Sequence, residues 1–280
     1  MRRFVQLFFL CFIVFMMPTV IVHAENGVGI SDNRNGTITV KYSNNNKIKS
    51  AITVEKSGTN VKDNYFVQDK NVNAVIPMTL GNGNYTVSVL KNIEGNRYSP
   101  LFSKEVSLQL KDYKSSYLTS NEMIKWNKKN AAIKKANKIA KKYKGQLNKV
   151  KGIYKYLVTN YHYDYNKFAK NSNGNLSYYT PNINTTYKTK KGICYVISAL
   201  TASMLRSIGV QTKMVTGYPA NKYFDGKSYH AWNVLYSKEK KKWIIIDLTC
   251  DMCLYEQKTK YKNLTMIKKA SQYSNIKYEY

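Results

Sequence analysis

The stretch KGICYVISALTASMLRSIGV, residues 191–210, decides how this chain is read. Ile197, Leu200, Met204, Leu205 and Ile208 recur at steps of three and four, which makes one apolar stripe on a helix. Gly209 is placed to stop that helix, and Gly192 lets it begin at Cys194. A cysteine at a helix start sits among unpaired amides and the positive end of the helix dipole, which favour thiolate over thiol. Its own backbone N–H is then one donor for an oxyanion. A small buried apolar residue would occupy the same place, so the cysteine acquires chemical meaning only if a base and an orienting group lie near it.

Downstream the pattern is of strands: VQTKMVTGY (210–218), YHAWNVLYS (229–237) and KWIIIDLTC (242–250). Helices followed by an antiparallel sheet predict an α+β fold with helices packed on the sheet. A hairpin closed by the four residues Ser237 to Lys240 would set Tyr236 opposite Lys241, Val234 opposite Trp243, Trp232 opposite Ile245 and His230 opposite Asp247. Directly opposed residues share a face, with Cβ atoms about 4.5–5.5 Å apart. Asp247 could then bind one imidazole nitrogen of His230 and leave the other for the Cys194 sulfur. A slip of one residue would turn Asp247 to the other face. By the same alternation Trp232 shares the face of His230, while Asn233 points away. Asp251 is the second carboxylate candidate, four residues beyond Asp247. His162, inside NYHYDYN (160–166), reads as a surface or turn histidine.

Upstream, Thr119 and Glu122 have capping-box spacing and predict a helix running to about Tyr143. Leu147, Val150, Tyr154, Leu157 and Tyr161 mark a second helix. Between Asp164 and Lys191 the sequence, rich in Asn, Ser, Tyr and Thr, reads as a long loop. Before residue 112 the signal is of short strands: GTITVKYS (36–43), SAITVEKSG (50–58), NYFVQ (64–68), NAVIPMTL (73–80), NYTVSVLKN (84–92) and SKEVSLQL (103–110). They predict a small immunoglobulin-like β-sandwich over residues 25–112, without cysteine or histidine, suited to binding, spacing or packing. Residues 113–280 are expected to form the second domain.

These residues carry a resemblance. KGICYVISALTASMLRSIGV, YHAWNVLY (229–236) and WIIIDLT (243–249) resemble the three motifs of the transglutaminase-like superfamily, a Gly-x-Cys helix, a His-Ala-Trp-Asn strand and a strand ending in Asp-x-Thr. IYKYLVTNYHYD (153–164) is similar to the helix and turn that precede the cysteine in bacterial members, so the resemblance spans about residues 119–251. It implies a papain-related core with Cys194 as nucleophile, His230 as general base and Asp247 as orienting carboxylate. It also implies attack on a glutamine carboxamide or peptide amide through a thioester, released to an amine or to water. His230 follows Cys194 by 36 residues, far closer than the roughly 130 of papain and cathepsin sequences. Members of the family often add an oxyanion donor from upstream, and Tyr187, Asn184 or another residue of that loop could serve.

Residues 1–24 combine a basic start, an apolar stretch from Phe4 to Met17, Pro18, and small residues at Val22 and Ala24, the pattern of a secretory signal cut after Ala24. No other stretch is long and apolar enough to span a bilayer, so a secreted or surface-associated protein is expected. Loss of Arg2 and Arg3 takes the formal charge from +29 to +27. That excess suits anionic cell-wall polymers as partners, or solvated lysine faces; an RNA-binding pattern of aromatics and glycines is missing, so nucleic acid is not expected. Cys250 and Cys253 could pair as a disulfide or stay free, and with Cys194 they are the cysteines of the mature chain. A structural zinc site needs four ligands, and no metal or cofactor is expected. The expected function is an exported cysteine enzyme acting on a protein or peptide amide. A cysteine peptidase or amidase of wall peptides and a non-catalytic surface-binding module are the alternatives.

Overall fold

The computed structural model describes residues 27–59, 61–109, 113–171, 180–221 and 224–280. The expected signal segment 1–24 lies outside the described residues.

Seven strands come first: β1 (Gly29–Asp32), β2 (Thr37–Ser43), β3 (Ser50–Lys56), β4 (Lys62–Val67), β5 (Asn71–Pro77), β6 (Gly83–Glu94) and β7 (Arg97–Leu108). They form two sheets, β1-β2-β5 and β4-β3-β6-β7, whose facing side chains make the small β domain that the strand pattern predicts. Alternation explains the faces, since β4 buries Asp63, Tyr65 and Val67 while β5 buries Val72, Ala74 and Ile76. β1 and the first half of β7 were not legible in sequence. Pro100 lies within β7, a strand paired on one side only, where the register with β6 shifts; a residue without an N–H is tolerated at such an edge bulge.

The remaining elements are α1 (Ala131–Ala140), α2 (Gln146–Asn160), β8 (His162–Tyr163), α3 (Tyr165–Asn171), α4 (Ile183–Thr189), β9 (Lys191–Gly192), α5 (Cys194–Ser207), β10 (Thr212–Gly217), β11 (Ala220–Asn221), β12 (Phe224–Asp225), β13 (His230–Ser237), β14 (Lys242–Ile246), α6 (Leu248–Glu256), β15 (Ile267–Lys268) and β16 (Ile276–Glu279). Helices lie against an antiparallel sheet of order β15-β14-β13-β10-β16, so the fold is α+β. The stripe Val150, Tyr154, Leu157 of α2 is buried with Ile197, Leu200 and Met204 of α5. Gly209, at φ 81°, ends α5.

Three expectations are corrected. No helix starts at Thr119: its hydroxyl donates to the Ser116 carbonyl, and the Glu122 amide donates to Val75 at the edge of β5. Asn121 Oδ1 accepts the amides of Met123 and Ile124, so a local turn wins over a helix until α1. The segment from Asp164 to Lys191 is not one loop, because it holds α3 and α4. Nor does the chain end in strands alone, since α6 follows β14 directly.

The sandwich shares its core with the helices. Ile38, Ile52 and Val87 belong to one apolar cluster with Tyr195, Val196 and Ala199 of α5 and Met214 of β10. Arg206 fastens that junction: fully buried, it donates to the carbonyls of Thr212 at 2.8 Å, Thr119 at 2.7 Å and Tyr280 at 2.8 Å. Each buried carbonyl left without its donor would cost about 1–3 kcal/mol.

Candidate active site

Gly192 sets the entry to α5. A Cβ there would lie 2.5 Å from Val196 Cγ2, so only glycine lets the strand turn this tightly into its own helix. The N-cap is Ile193, which has no side-chain oxygen to offer the first amides of α5. β9 runs parallel to β8 with Tyr163 opposite Gly192, which brings the tyrosine beside Cys194. The Tyr163 hydroxyl accepts from the Cys194 amide, and burial and the neighbouring Cys194 and Cys253 push its pKa well above the ordinary tyrosine value. It therefore stays protonated, with its own O–H free to donate.

His230 opens β13 and Asp247 lies just past the end of β14. The hairpin register differs from the expected one: Tyr236 pairs with Trp243 and Val234 with Ile245, because Ser237 stays in the strand and the turn holds residues 238–241, with Lys241 at φ 50°. The pairing moves by two residues, so every side chain keeps its face. Asp247 reaches His230 as the N-cap of α6 rather than as a strand partner. Its Oδ2 lies 2.9 Å from His230 Nε2, which leaves Nδ1 as the ring nitrogen for the hydrogen bond with Cys194.

Asp247, fully buried, has four donors on its two oxygens. Oδ1 accepts from the Thr249 hydroxyl at 3.0 Å and the Cys250 amide at 3.0 Å, while Oδ2 accepts from His230 and from the Tyr273 hydroxyl at 2.8 Å. Burial works to raise its pKa, but the charge and hydrogen bond of His230, then the Cys250 amide and Tyr273, hold it down at about 2. The helix start adds to this preference for the anion. For His230, burial disfavours the charged ring, and Asp247 followed by Cys194 outweighs it, lifting the pKa to about 10. At neutral pH the imidazole therefore carries its proton between a carboxylate and a sulfur.

The ring is held on its faces as well. Phe224 of β12 lies 4.3 Å away centroid to centroid, and Trp232 stacks at 6.2 Å and 20°. Asn233 points away, donating to the carbonyls of Ser198 and Lys213.

Other candidates lie apart from this arrangement. Asp251 is engaged by the Tyr154 hydroxyl at 2.6 Å and Lys268 Nζ at 2.6 Å. His162 is exposed, with Nδ1 3.1 Å from Glu256 Oε1. Asn184 accepts from Asn130, and Tyr187 lies under the Lys190 ammonium at 3.7 Å, contacts made within and around α4. Tyr163, which comes before that loop, is the tyrosine that lies beside Cys194. The tyrosines flanking His162 were visible in sequence, but a two-residue parallel pairing leaves no periodicity to single one out. Tyr273, after the last recognisable motif, had no signal at all. Cys250 and Cys253 are unbridged, and burial pushes both thiols up. Among the described residues no cluster of His, Cys, Asp and Glu could hold a metal ion, and no helix is long and apolar enough to cross a membrane.

Residues 133–248 match the family model of the transglutaminase-like superfamily. A search of curated proteins finds no match. Among solved structures, a TGase crystal structure shares 25% identity over 42% of this chain and 30% of that one, with a TM-score of 0.34. The periplasmic domain of TgpA from Pseudomonas aeruginosa, bound to ethylmercury, shares 13% over 80% and 75% at a TM-score of 0.38. Red sea bream transglutaminase shares 11% over 77% and 48%, at 0.26. The chain thus spans under half the length of the first and third of these.

Proposed function

We propose, from the match of residues 133–248 to the transglutaminase-like superfamily, that the chain is an exported cysteine enzyme acting on a protein or peptide amide, a glutamine carboxamide or a peptide bond. What supports this reading above all is a buried histidine hydrogen-bonded on one side to a helix-start cysteine and on the other to a saturated carboxylate. The Cys194 sulfur attacks the amide carbon while His230 holds the proton. The carbonyl oxygen gains the electron pair and is met by the Tyr163 hydroxyl, a donor that acts where charge develops. Collapse breaks the C–N bond, and His230 passes its proton to the departing nitrogen, which leaves as ammonia from a carboxamide. An amine or water then gives its proton to His230 as it attacks the thioester, and Cys194 is freed.

Export rests on the basic and apolar leader, and protein recovered from culture medium is expected to begin at Glu25. Finding the intact leader on the cell-associated protein alone would argue for an anchor.

The activity is tested with a glutamine-bearing peptide and a biotinylated alkylamine, reading ammonia release and biotin incorporation. Turnover is expected in the native protein and none in Cys194→Ala. Tyr163→Phe should turn over about 100-fold more slowly, the usual cost of one oxyanion donor, while its cysteine still reacts with iodoacetamide. Turnover that survives in Cys194→Ala, or none in the native protein, defeats the proposal.

A further inference from the structure

Along α1 runs a groove of about 480 Å³ whose rim carries Lys128, Lys134, Lys138 and Lys141, with Trp126 and Ile133 also lining it. Lys134, Lys138 and Lys141 stand at i, i+4 and i+7 on one helix face, so the row is about 10 Å long. Like charges at this spacing weaken a helix by a few tenths of a kcal/mol, so the row does not serve the stability of α1. Neither the lining nor the first turn of α1 contains an acidic residue. Lys125 pairs with Glu122, Lys213 with Glu279 and Lys268 with Asp251, and the four rim lysines form no ion pair among the described residues. Trp126 keeps a buried indole N–H that lacks a partner among the described residues.

We propose that this groove binds a linear polyanion, a flexible chain bearing phosphate or sulfate groups. The row is too long for one phosphate, and its charges edge a trough rather than a convex face. A bilayer surface would call for apolar side chains projecting outward between the lysines, whereas Ile133 is buried. The groove includes Ser207 at the far end of α5, about 20 Å along the helix from Cys194, so it is separate from the site of chemistry. Its use is to hold the protein on an anionic matrix while Cys194 stays free.

The test is titration of the chain lacking residues 1–24 with inorganic polyphosphate and with heparin across salt concentrations. The triple variant Lys134→Gln, Lys138→Gln, Lys141→Gln is compared with Lys41→Gln, Lys70→Gln, Lys91→Gln, which removes equal charge from exposed sandwich positions. Thermal melts establish that both fold. The groove variant is expected to bind at least 10-fold more weakly, with a salt slope lower by about 2 at roughly 0.7 per charge neutralised on a single strand. The sandwich variant should lose under 3-fold. Loss with polyphosphate alone, or heparin alone, assigns the ester; equal losses in both variants mean that only net charge attracts, and the groove is overturned. Binding of anionic phospholipid vesicles that needs the same three lysines and exceeds both polymers would overturn it in favour of a membrane surface.

Discussion

Replacing His230 by alanine should slow alkylation of Cys194 by iodoacetamide about 100-fold or more near neutral pH. Cys194 is only 3% exposed, so its reactivity depends on what takes its proton rather than on solvent. Among the described residues the partner is the His230 ring, fixed by Asp247 on Nε2 and between the faces of Phe224 and Trp232, with Nδ1 left for the sulfur. A positioned base or acid contributes typically 10²–10⁴. Because His230 keeps its proton up to about pH 10, the native rate should change little between pH 7 and 9. Intact mass after timed exposure reads both rates. Equal rates and equal pH profiles would remove His230 from the chemistry and with it the central support for an enzyme.

The sequence made the components of this site legible more readily than the route by which the fold joins them. Periodicity in α5 placed Cys194 at a helix start, and face alternation placed His230 with Trp232, because both patterns follow from the backbone repeat alone. The hairpin turn was harder. Its four residues were counted one position early, since the side-chain cap from Ser237 to the Lys240 amide leaves no mark in the hydrophobic pattern. Asp247 was paired with His230 through a ladder that stops at Ile246, and the contact exists because a helix starts there. The Asp-x-Thr motif was itself the missing clue, as an acid followed two residues later by a hydroxyl is a strong N-cap. Thr119 and Glu122 had the same kind of signal and formed no helix. There Asn121 satisfies the following amides and β5 takes the Glu122 amide, a tertiary contact that no local rule contains. Tyr163 and Tyr273 come to the site by pairing between segments remote in sequence.

Asp247 is the residue whose removal should cost most, in stability and in rate together. Asp247→Ala leaves the His230 ring, the Tyr273 and Thr249 hydroxyls and the Cys250 amide without their acceptor in a site closed to water. Removing one partner of a buried pair typically costs about 3–5 kcal/mol, and loss of the cap adds about 1 kcal/mol. Asp247→Asn separates the two roles. Its amide oxygen can still cap α6, so stability should fall less, while its NH₂ opposes the Nε2–H of His230 and turns the ring to the wrong tautomer, with a rate loss of about 10⁴. The pH dependence has a definite sign. His230 has a folded pKa raised from 6.5 to about 10, so its contribution is complete below pH 6.5 and is lost as pH rises through 10. Asp247 is depressed from 3.8 to about 2, so its contribution is complete above pH 3.8 and is lost as pH falls through 2. Both are complete only between pH 3.8 and 6.5, and Asp247→Ala should flatten this site's contribution to both limbs of a urea-midpoint profile. A variant that loses under 1 kcal/mol and keeps the native profile would mean that Asp247 neither anchors α6 nor charges His230, and the pairing of carboxylate, imidazolium and sulfur would have no foundation.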